Sequence, residues 1–113
     1  MKKIIALLLA AVMVMCLFAG CAPSGSKDIK IGVFEPQSGD NGAGGKQEVL
    51  GIQYANSVKP TVTIGGEEYK IELDIQDNQS STDKAVSAAQ QLVADKVSVV
   101  LGSYGSGVSI AAG

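Results

Sequence analysis

The sequence predicts an α/β fold built on a mostly parallel, doubly wound sheet of the Rossmann-like type, and three observations support this. Short runs rich in β-branched and apolar residues alternate with longer segments of helical periodicity. Brief segments rich in glycine, serine, asparagine and aspartate separate them. The order is strand, helix, strand, helix, strand, which predicts right-handed crossovers between parallel strands.

The first strand and the first helix are predicted on either side of a turn-rich loop. Residues 29–34, IKIGVF, form a short apolar run suited to a buried strand. Residues 35–45, EPQSGDNGAGG, follow as the loop, and residues 46–59 form the helix. Apolar residues recur every four positions in that helix, at Leu50, Tyr54 and Val58, with Val49, Ile52 and Ala55 beside them. We expect them to form its apolar face.

A hairpin is predicted next, over residues 62–77, because Gly65 and Gly66 stand between two strand-like pieces. The second piece alternates strictly between apolar and charged residues. Its two sets are Tyr69, Ile71, Leu73 and Ile75 on one face, and Lys70, Glu72 and Asp74 on the other. This alternation predicts a strand with one solvated face, as is common at a sheet edge.

The second crossover helix is predicted over residues 81–96, after the turn DNQS. Ser80 and Asp83 have the spacing of a capping box, although the acidic partner is usually glutamate or glutamine. Small and apolar residues give this helix a face that can lie close to a sheet: Ala85, Ala89, Leu92 and Val93. Residues 97–101, VSVVL, then predict the third buried strand, and a third helix begins near Val108.

This strand order predicts a ligand site. In a doubly wound sheet of order 2-1-3, strands one and three are neighbours, and ligands bind in the crevice at their carboxyl ends. The loops that reach this crevice, residues 38–45 and 102–107, are rich in glycine and lead into helix N-termini, which favour anions. The candidate hydroxyl groups are Ser38 in the first loop and Ser103 and Ser106 in the second. A carboxylate or phosphate is the expected ligand; the alternative is that both loops are only tight, solvated turns.

The N-terminal residues 1–20 are predicted to be a signal peptide. Two lysines precede an unbroken apolar run from Ile4 to Ala19, and the small residue Gly20 follows. The alternative is an uncleaved membrane-spanning helix, but the run is shorter than the roughly 20 residues that a span requires. Residues 21–27 are polar and rich in glycine, serine and proline, as expected of a flexible tether.

Residues 17–21, LFAGC, resemble the lipobox of bacterial lipoproteins, in which a small pair precedes a cysteine. That resemblance implies lipid attachment at Cys21 and anchoring of the exported protein to a membrane. Phe18 departs from the pattern, which usually has leucine at that position. Cys16 fits less well because Met15 before it is not small. An intrachain disulfide after cleavage is excluded, since no cysteine follows Cys21.

Several classes of function fit the composition poorly. The chain has no histidine, so it offers neither a Ser-His dyad nor an imidazole metal ligand. Residues 39–47 approach a phosphate-binding loop, but the spacing is one residue too long and Gln47 replaces the required hydroxyl. Lysines are scattered and outnumbered by acidic residues, which argues against a nucleic-acid partner. We expect no enzyme activity, no cofactor and no metal site within these residues.

In combination, the segments DIKIGVFEPQSGDNGAGG and DNQSSTDKAVSAAQQLVADKVSVVLGSYGSGVS resemble the N-terminal lobe of type I substrate-binding proteins. The most similar branch is the leucine, isoleucine and valine-binding group that serves branched-chain amino acid ABC transporters. The resemblance implies that residues 28–113 are the first part of the N-terminal lobe of a two-lobe protein whose sequence continues beyond Gly113.

The resemblance also implies residue roles. A serine hydroxyl and main-chain amides of the loop after the third strand hold the α-carboxylate of the amino acid, a role that falls on Ser106, with Tyr104 and Gly105 lining the same loop. An aromatic residue of the first loop covers the ligand in many relatives, and residues 42–44 lack one. The implied function is capture of an amino acid and its delivery to ABC permease subunits. The alternatives are a ligand-sensing receptor domain and a binder of another solute, such as an amide or urea.

Overall fold

The computed structural model describes residues 27–113, which form a four-stranded mixed sheet with helices on both faces. The strands are β1 (Asp28–Glu35), β2 (Thr61–Ile64), β3 (Glu67–Asp77) and β4 (Val99–Leu101). The helices are α1 (Gly42–Val58), α2 (Thr82–Ala94) and α3 (Ser106–Ala112). The predicted signal peptide and the predicted lipid attachment at Cys21 lie outside the described residues.

The strand order is β2-β3-β1-β4, and β1 pairs in parallel with both β3 and β4. This arrangement confirms the predicted α/β class and the predicted 2-1-3 order of the parallel strands. β2 pairs antiparallel with β3, as the hairpin prediction requires. Although such alternation is common at a sheet edge, β3 does not lie there, because β2 covers its outer side. Alternation of apolar and charged residues indicates a solvated face, and it carries no information about position within the sheet.

The main hydrophobic core lies between the sheet and the pair α2 and α3. Its buried residues come from β1 and from both helices: Phe34, Ala85, Ala88, Leu92 and Val108. On β1, Gly32 allows α2 to approach closely, since a Cβ added there would lie 3.1 Å from Cδ2 of Leu92. Phe34 and Gly32 therefore face α2, while the intervening Val33 faces the opposite side of the sheet, as strand alternation requires.

Helix α1 covers that opposite side, and it differs from its prediction in two ways. It begins at Gly42 rather than at Lys46, so four residues of the predicted loop are helical. Its buried residues are Gly42, Gly45 and Val49, whereas the predicted apolar face is largely exposed: Leu50 is 64%, Tyr54 72% and Val58 67% exposed. The predicted face is therefore only partly correct: Val49 is buried and Ile52 is half-buried, while Leu50, Tyr54 and Val58 are exposed.

Helix α2 also begins differently from its prediction. The capping-box assignment to Ser80 and Asp83 is wrong: the N-cap is Ser81, whose side chain accepts a hydrogen bond from the backbone nitrogen of Lys84 at 3.5 Å. Of the predicted face, Ala85 and Leu92 are buried and Val93 is 77% exposed. Successive helical residues are rotated by about 100°, so a position next to Leu92 points away from the core.

Between residues 27 and 113, none of the helices combines the length and the apolar character needed to cross a membrane. In the same part of the chain, acidic and cysteine side chains do not gather in threes around a position that suits a metal ion.

Candidate ligand-binding site

The structure brings together the loops that follow β1 and β4. A Cβ added at Gly105 would lie 3.4 Å from Nδ2 of Asn41, and one added at Gly44 would lie 3.2 Å from Cζ of Tyr104. Because β1 and β4 are parallel neighbours, their carboxyl ends share one edge of the sheet. Residues 36–41 and 102–105 therefore form adjoining walls at that edge.

Two helix N-termini begin directly behind these walls. The N-cap positions are Asn41 for α1 and Gly105 for α3, and neither helix has a side-chain cap. The amides of an uncapped first turn have no partner within the helix and carry a partial positive charge. Both helices therefore present donors at the edge where the two loops meet, an arrangement that suits a negatively charged ligand group.

The two candidate serines of the second loop have different surroundings. Ser106 is the first residue of α3; it is exposed, and its hydroxyl makes no hydrogen bond to any other residue between 27 and 113. The hydroxyl of Ser103 lies 3.0 Å from that of Ser109 and donates to the carbonyl oxygen of Gly105 at 3.4 Å. Ser106 is thus available to an external partner, whereas Ser103 helps to hold the loop.

Ser38 lies in the first loop, and its hydroxyl donates a hydrogen bond to Oδ2 of Asp77 at 2.7 Å. Its carbonyl oxygen accepts a hydrogen bond from the Ser80 hydroxyl at 3.0 Å. No hydrogen bond joins Ser38 to residues 102–106 in the described part of the chain. The structure therefore places Ser38 in the contact between the first loop and the turn after β3.

Asp77 is the centre of that contact, a role that its position in the sequence did not predict. Its Oδ1 accepts hydrogen bonds from the backbone nitrogens of Gln37 and Gln79, each at 2.8 Å, in addition to the bond from Ser38. Partial burial of the carboxylate opposes its ionisation, but these hydrogen bonds outweigh burial and lower the pKa of Asp77. An aspartate followed by asparagine at a strand end is a typical turn sequence, which could have indicated this role.

The side chain of Tyr104, a residue of the second loop, lies against the start of α1. This side chain is 47% exposed, and the hydroxyl-bearing end of the ring contacts Gly44 in the first turn of α1. Positions 42–44 of the first loop have no aromatic residue, but the Tyr104 ring of the second loop lies beside them. Only the approach of β4 to β1 brings these positions together.

Glu35 is the second functional candidate that the sequence analysis missed. Its carboxylate is only 3% exposed, and Oε2 accepts a hydrogen bond from the backbone nitrogen of Tyr104 at 2.8 Å. Burial raises the pKa of Glu35, and a hydrogen bond and charge repulsion from Glu48 raise it further, against the lowering effect of the Tyr104 amide. An acidic residue at the end of an apolar strand has the sequence appearance of a loop start, so its burial was not predictable.

An apolar cavity of about 230 Å³ lies away from this edge, between α1 and the sheet. Its lining includes Ile31, Ile52 and Leu73, and none of the candidate ligand residues. The polar site is thus an open edge and not part of this cavity.

The family comparison agrees with the fold. The model of the family described as periplasmic binding protein matches residues 28–113. The chain belongs to the periplasmic binding protein family. A search of curated protein sequences gave no match.

Solved structures of periplasmic binding proteins are similar to this chain. A leucine-binding protein, LivK, from Thermotoga maritima is 34% identical with a TM-score of 0.64, over 74% of this chain and 23% of its own. The substrate-binding protein LivJ from Streptococcus pneumoniae, solved with isoleucine, is 36% identical with a TM-score of 0.64, over 75% of this chain and 24% of its own. A solute-binding protein from Rhodopseudomonas palustris, solved with 3,4-dihydroxybenzoic acid, is 31% identical with a TM-score of 0.65, over 76% and 23%.

The chain therefore spans about a quarter of the length of these relatives. Within that span it corresponds to the N-terminal lobe of type I periplasmic binding proteins, as the sequence predicted. Leucine, isoleucine and 3,4-dihydroxybenzoic acid, the compounds associated with these three proteins, each carry a carboxylate and differ in the rest of the molecule.

Proposed function

We propose that this chain is the first part of an extracytoplasmic solute-binding protein of an ABC importer, and that its ligand is a small carboxylate. Branched-chain amino acids are the leading ligands, because relatives at 34% and 36% identity are a leucine-binding protein and a protein solved with isoleucine. In this proposal the protein binds its solute and passes it to permease subunits, and it catalyses no reaction.

One observation carries this proposal: two uncapped helix N-termini begin behind adjoining loops, and the exposed Ser106 hydroxyl stands at the start of one of them. We assign Ser106 the role of donor to the ligand carboxylate, with the amides of Gly105 and its neighbours beside it. A hydrogen bond to a charged group contributes roughly 1.5–3 kcal/mol. Several such bonds would hold the carboxylate and leave the ligand side chain to be selected elsewhere.

An aromatic carboxylate is the second candidate, and a specific feature favours it. The half-exposed Tyr104 ring lies at the same edge and offers an apolar face to a ligand ring. Relatives were solved with 3,4-dihydroxybenzoic acid and with benzoate. Both candidates share the carboxylate, so the proposed role of Ser106 is the same in each.

Isothermal titration calorimetry on the full-length protein tests the proposal with leucine, isoleucine, valine and benzoate. We expect one of these ligands to bind, and Ser106→Ala to weaken that binding by about tenfold or more, since each factor of ten corresponds to about 1.4 kcal/mol. Ser87→Ala is the matched control, because Ser87 is exposed on α2. Unchanged affinity in Ser106→Ala would remove this serine from the site.

The membrane anchor is a separate part of the proposal. We propose that Cys21 carries lipid and tethers the exported protein to the membrane. Mass spectrometry of the protein from its native membrane should show an acylated N-terminal cysteine at position 21. Cys21→Ser should release the protein from the membrane fraction, whereas Cys16→Ser should not.

A growth experiment distinguishes delivery to a permease from the alternative of a sensory receptor domain. Cells that lack the protein should fail to grow with a branched-chain amino acid as the sole nitrogen source only if the protein delivers that amino acid for uptake.

A further inference from the structure

The buried carboxylate of Glu35 lies beneath the loop that carries the candidate ligand donors. Gly102, the first residue of that loop, has a φ of +119°. A Cβ added there would overlap the carbonyl oxygen of Phe34 and would lie 2.7 Å from Oε1 of Glu35. The loop therefore lies directly on the end of β1, with no space between its backbone and the Glu35 side chain.

Glu35 makes one direct connection to the loop. Its Oε2 accepts the hydrogen bond from the backbone nitrogen of Tyr104 at 2.8 Å, two residues before Ser106. This hydrogen bond is partly buried. Loss of the acceptor would leave a partly buried amide without its partner, which is costly, so the carboxylate fixes the position of Tyr104 relative to the sheet.

We propose that Glu35 is the positioning residue that holds residues 102–105 so that the start of α3 and the Ser106 hydroxyl face the ligand carboxylate. This inference rests on the proposed function for its ligand. Glu35 itself does not contact the ligand in this proposal; it acts through the backbone of Tyr104.

Charged groups around Glu35 come from two elements. Glu48 of α1 lies near Glu35, and its negative charge raises the pKa of Glu35. Asp77 stands opposite Glu35 in the parallel pairing of β1 with β3, but its oxygens are already occupied by Gln37, Ser38 and Gln79. Burial and the neighbouring charge of Glu48 act in the same direction and raise the pKa of Glu35.

Two substitutions separate positioning from simple loss of stability. Glu35→Ala removes the acceptor for the Tyr104 amide. Glu35→Gln keeps an acceptor oxygen for the Tyr104 amide, so it should preserve the position of the loop. Glu67→Ala is the control, because Glu67 lies at the far end of β3 and makes an exposed ion pair with Lys27.

Calorimetry on the full-length protein with leucine, and with benzoate as the second probe, measures the consequence. We expect Glu35→Ala to weaken binding by about tenfold or more, and Glu35→Gln to stay within about threefold of the wild type. Glu67→Ala should bind like the wild type. A folded Glu35→Ala variant with wild-type affinity would overturn the proposal.

A second measurement needs no ligand. In protein labelled with ¹⁵N-tyrosine, the Tyr104 amide resonance is assigned by its loss in Tyr104→Phe. It should shift between pH 7.5 and pH 4 in the wild type as Glu35 takes up its proton, and it should stay fixed in Glu35→Gln. A Tyr104 resonance that does not respond in the wild type would overturn the proposal, even if Glu35→Ala fails to fold. If neither probe binds the wild type, the proposed ligands are wrong, and this titration still decides whether Glu35 holds the loop.

Discussion

The hydroxyl of Ser80, in the turn after β3, accepts a hydrogen bond from the backbone nitrogen of Asn41 at 3.0 Å, directly before α1. The same hydroxyl donates to the carbonyl oxygen of Ser38. One side chain thus joins the turn after β3 to both ends of a short stretch of the first loop. Gln79 and Ser80 both have a φ of +56°, a left-handed conformation. In it, the Gln79 backbone amide donates a hydrogen bond to the Asp77 side chain, and the Ser80 amide donates one to the Asn78 side chain. The shape of the first loop therefore depends on a turn about forty residues away.

Ser80→Ala should destabilise the protein, because it removes both of these hydrogen bonds. We expect a loss of about 1–2 kcal/mol in the free energy of unfolding. Urea denaturation of the variant and the wild type measures it. Ser87→Ala, on the exposed face of α2, is the control and should change stability by less than about 0.5 kcal/mol. An equal effect of the two substitutions would contradict a linking role for Ser80.

Asp77→Asn should destabilise the protein in a manner that depends on pH. The pKa of Asp77 is lower in the folded state than its ordinary value of 3.8, so ionised Asp77 contributes stability above that value. This contribution is lost as the pH falls through the folded pKa. We expect a difference of about 1 kcal/mol near pH 7, because solvent weakens hydrogen bonds to a partly exposed carboxylate.

Unfolding measurements between pH 7 and pH 2.5 should show the stabilities of Asp77→Asn and the wild type converging at the acid end. Asp40→Asn, an exposed position in the first loop, is the control and should track the wild type throughout. A constant gap between Asp77→Asn and the wild type across this range would show that the charge of Asp77 is not the stabilising feature.

Alanine substitution at two glycines of α1 should have opposite effects on the stability of the protein. A Cβ at Gly45 would overlap the carbonyl oxygen of Pro36 and would lie 2.8 Å from the proline ring, whereas a Cβ at Gly51 meets nothing within 4 Å. Gly45→Ala should therefore cost about 1–3 kcal/mol through overpacking. Gly51→Ala should stabilise the helix by up to about 1 kcal/mol. Thermal unfolding of both variants tests this, and stabilisation by Gly45→Ala would show that α1 does not press against Pro36.

The Tyr104 ring should contribute to ligand affinity. Tyr104→Ala removes the ring beside Gly44 and should weaken binding by about tenfold, since one aromatic contact and its buried area are lost. Tyr104→Phe keeps the ring and should bind nearly as well as the wild type. Tyr54→Ala is the control, because Tyr54 is 72% exposed on the outer side of α1. Calorimetry with the ligand identified for the wild type provides the measurement. Wild-type affinity in Tyr104→Ala would show that the ligand binds away from this loop.

The sequence by itself determined the order of strands and helices, the hairpin at Gly65 and Gly66, and the two glycine-rich loops beside each other. These features follow from local information: the period of apolar residues separates strands from helices, and turn residues mark their ends. Chirality and short connections then fix the order of the parallel strands. The same reasoning placed Ser106 and Tyr104 at the edge of the sheet where β1 and β4 end.

Only the tertiary structure decided which residues hold that edge in place. Glu35 has the appearance of a loop residue until β4 brings the Tyr104 amide to it, and Ser80 has the appearance of a helix cap until the first loop lies beside it. Likewise, the close approach of Gly45 to Pro36 depends on how α1 packs on the preceding loop. Each of these contacts joins residues distant in sequence or depends on space between packed backbones. The polarity pattern of a segment does not encode contacts with residues that are distant in sequence, so only the folded structure shows them.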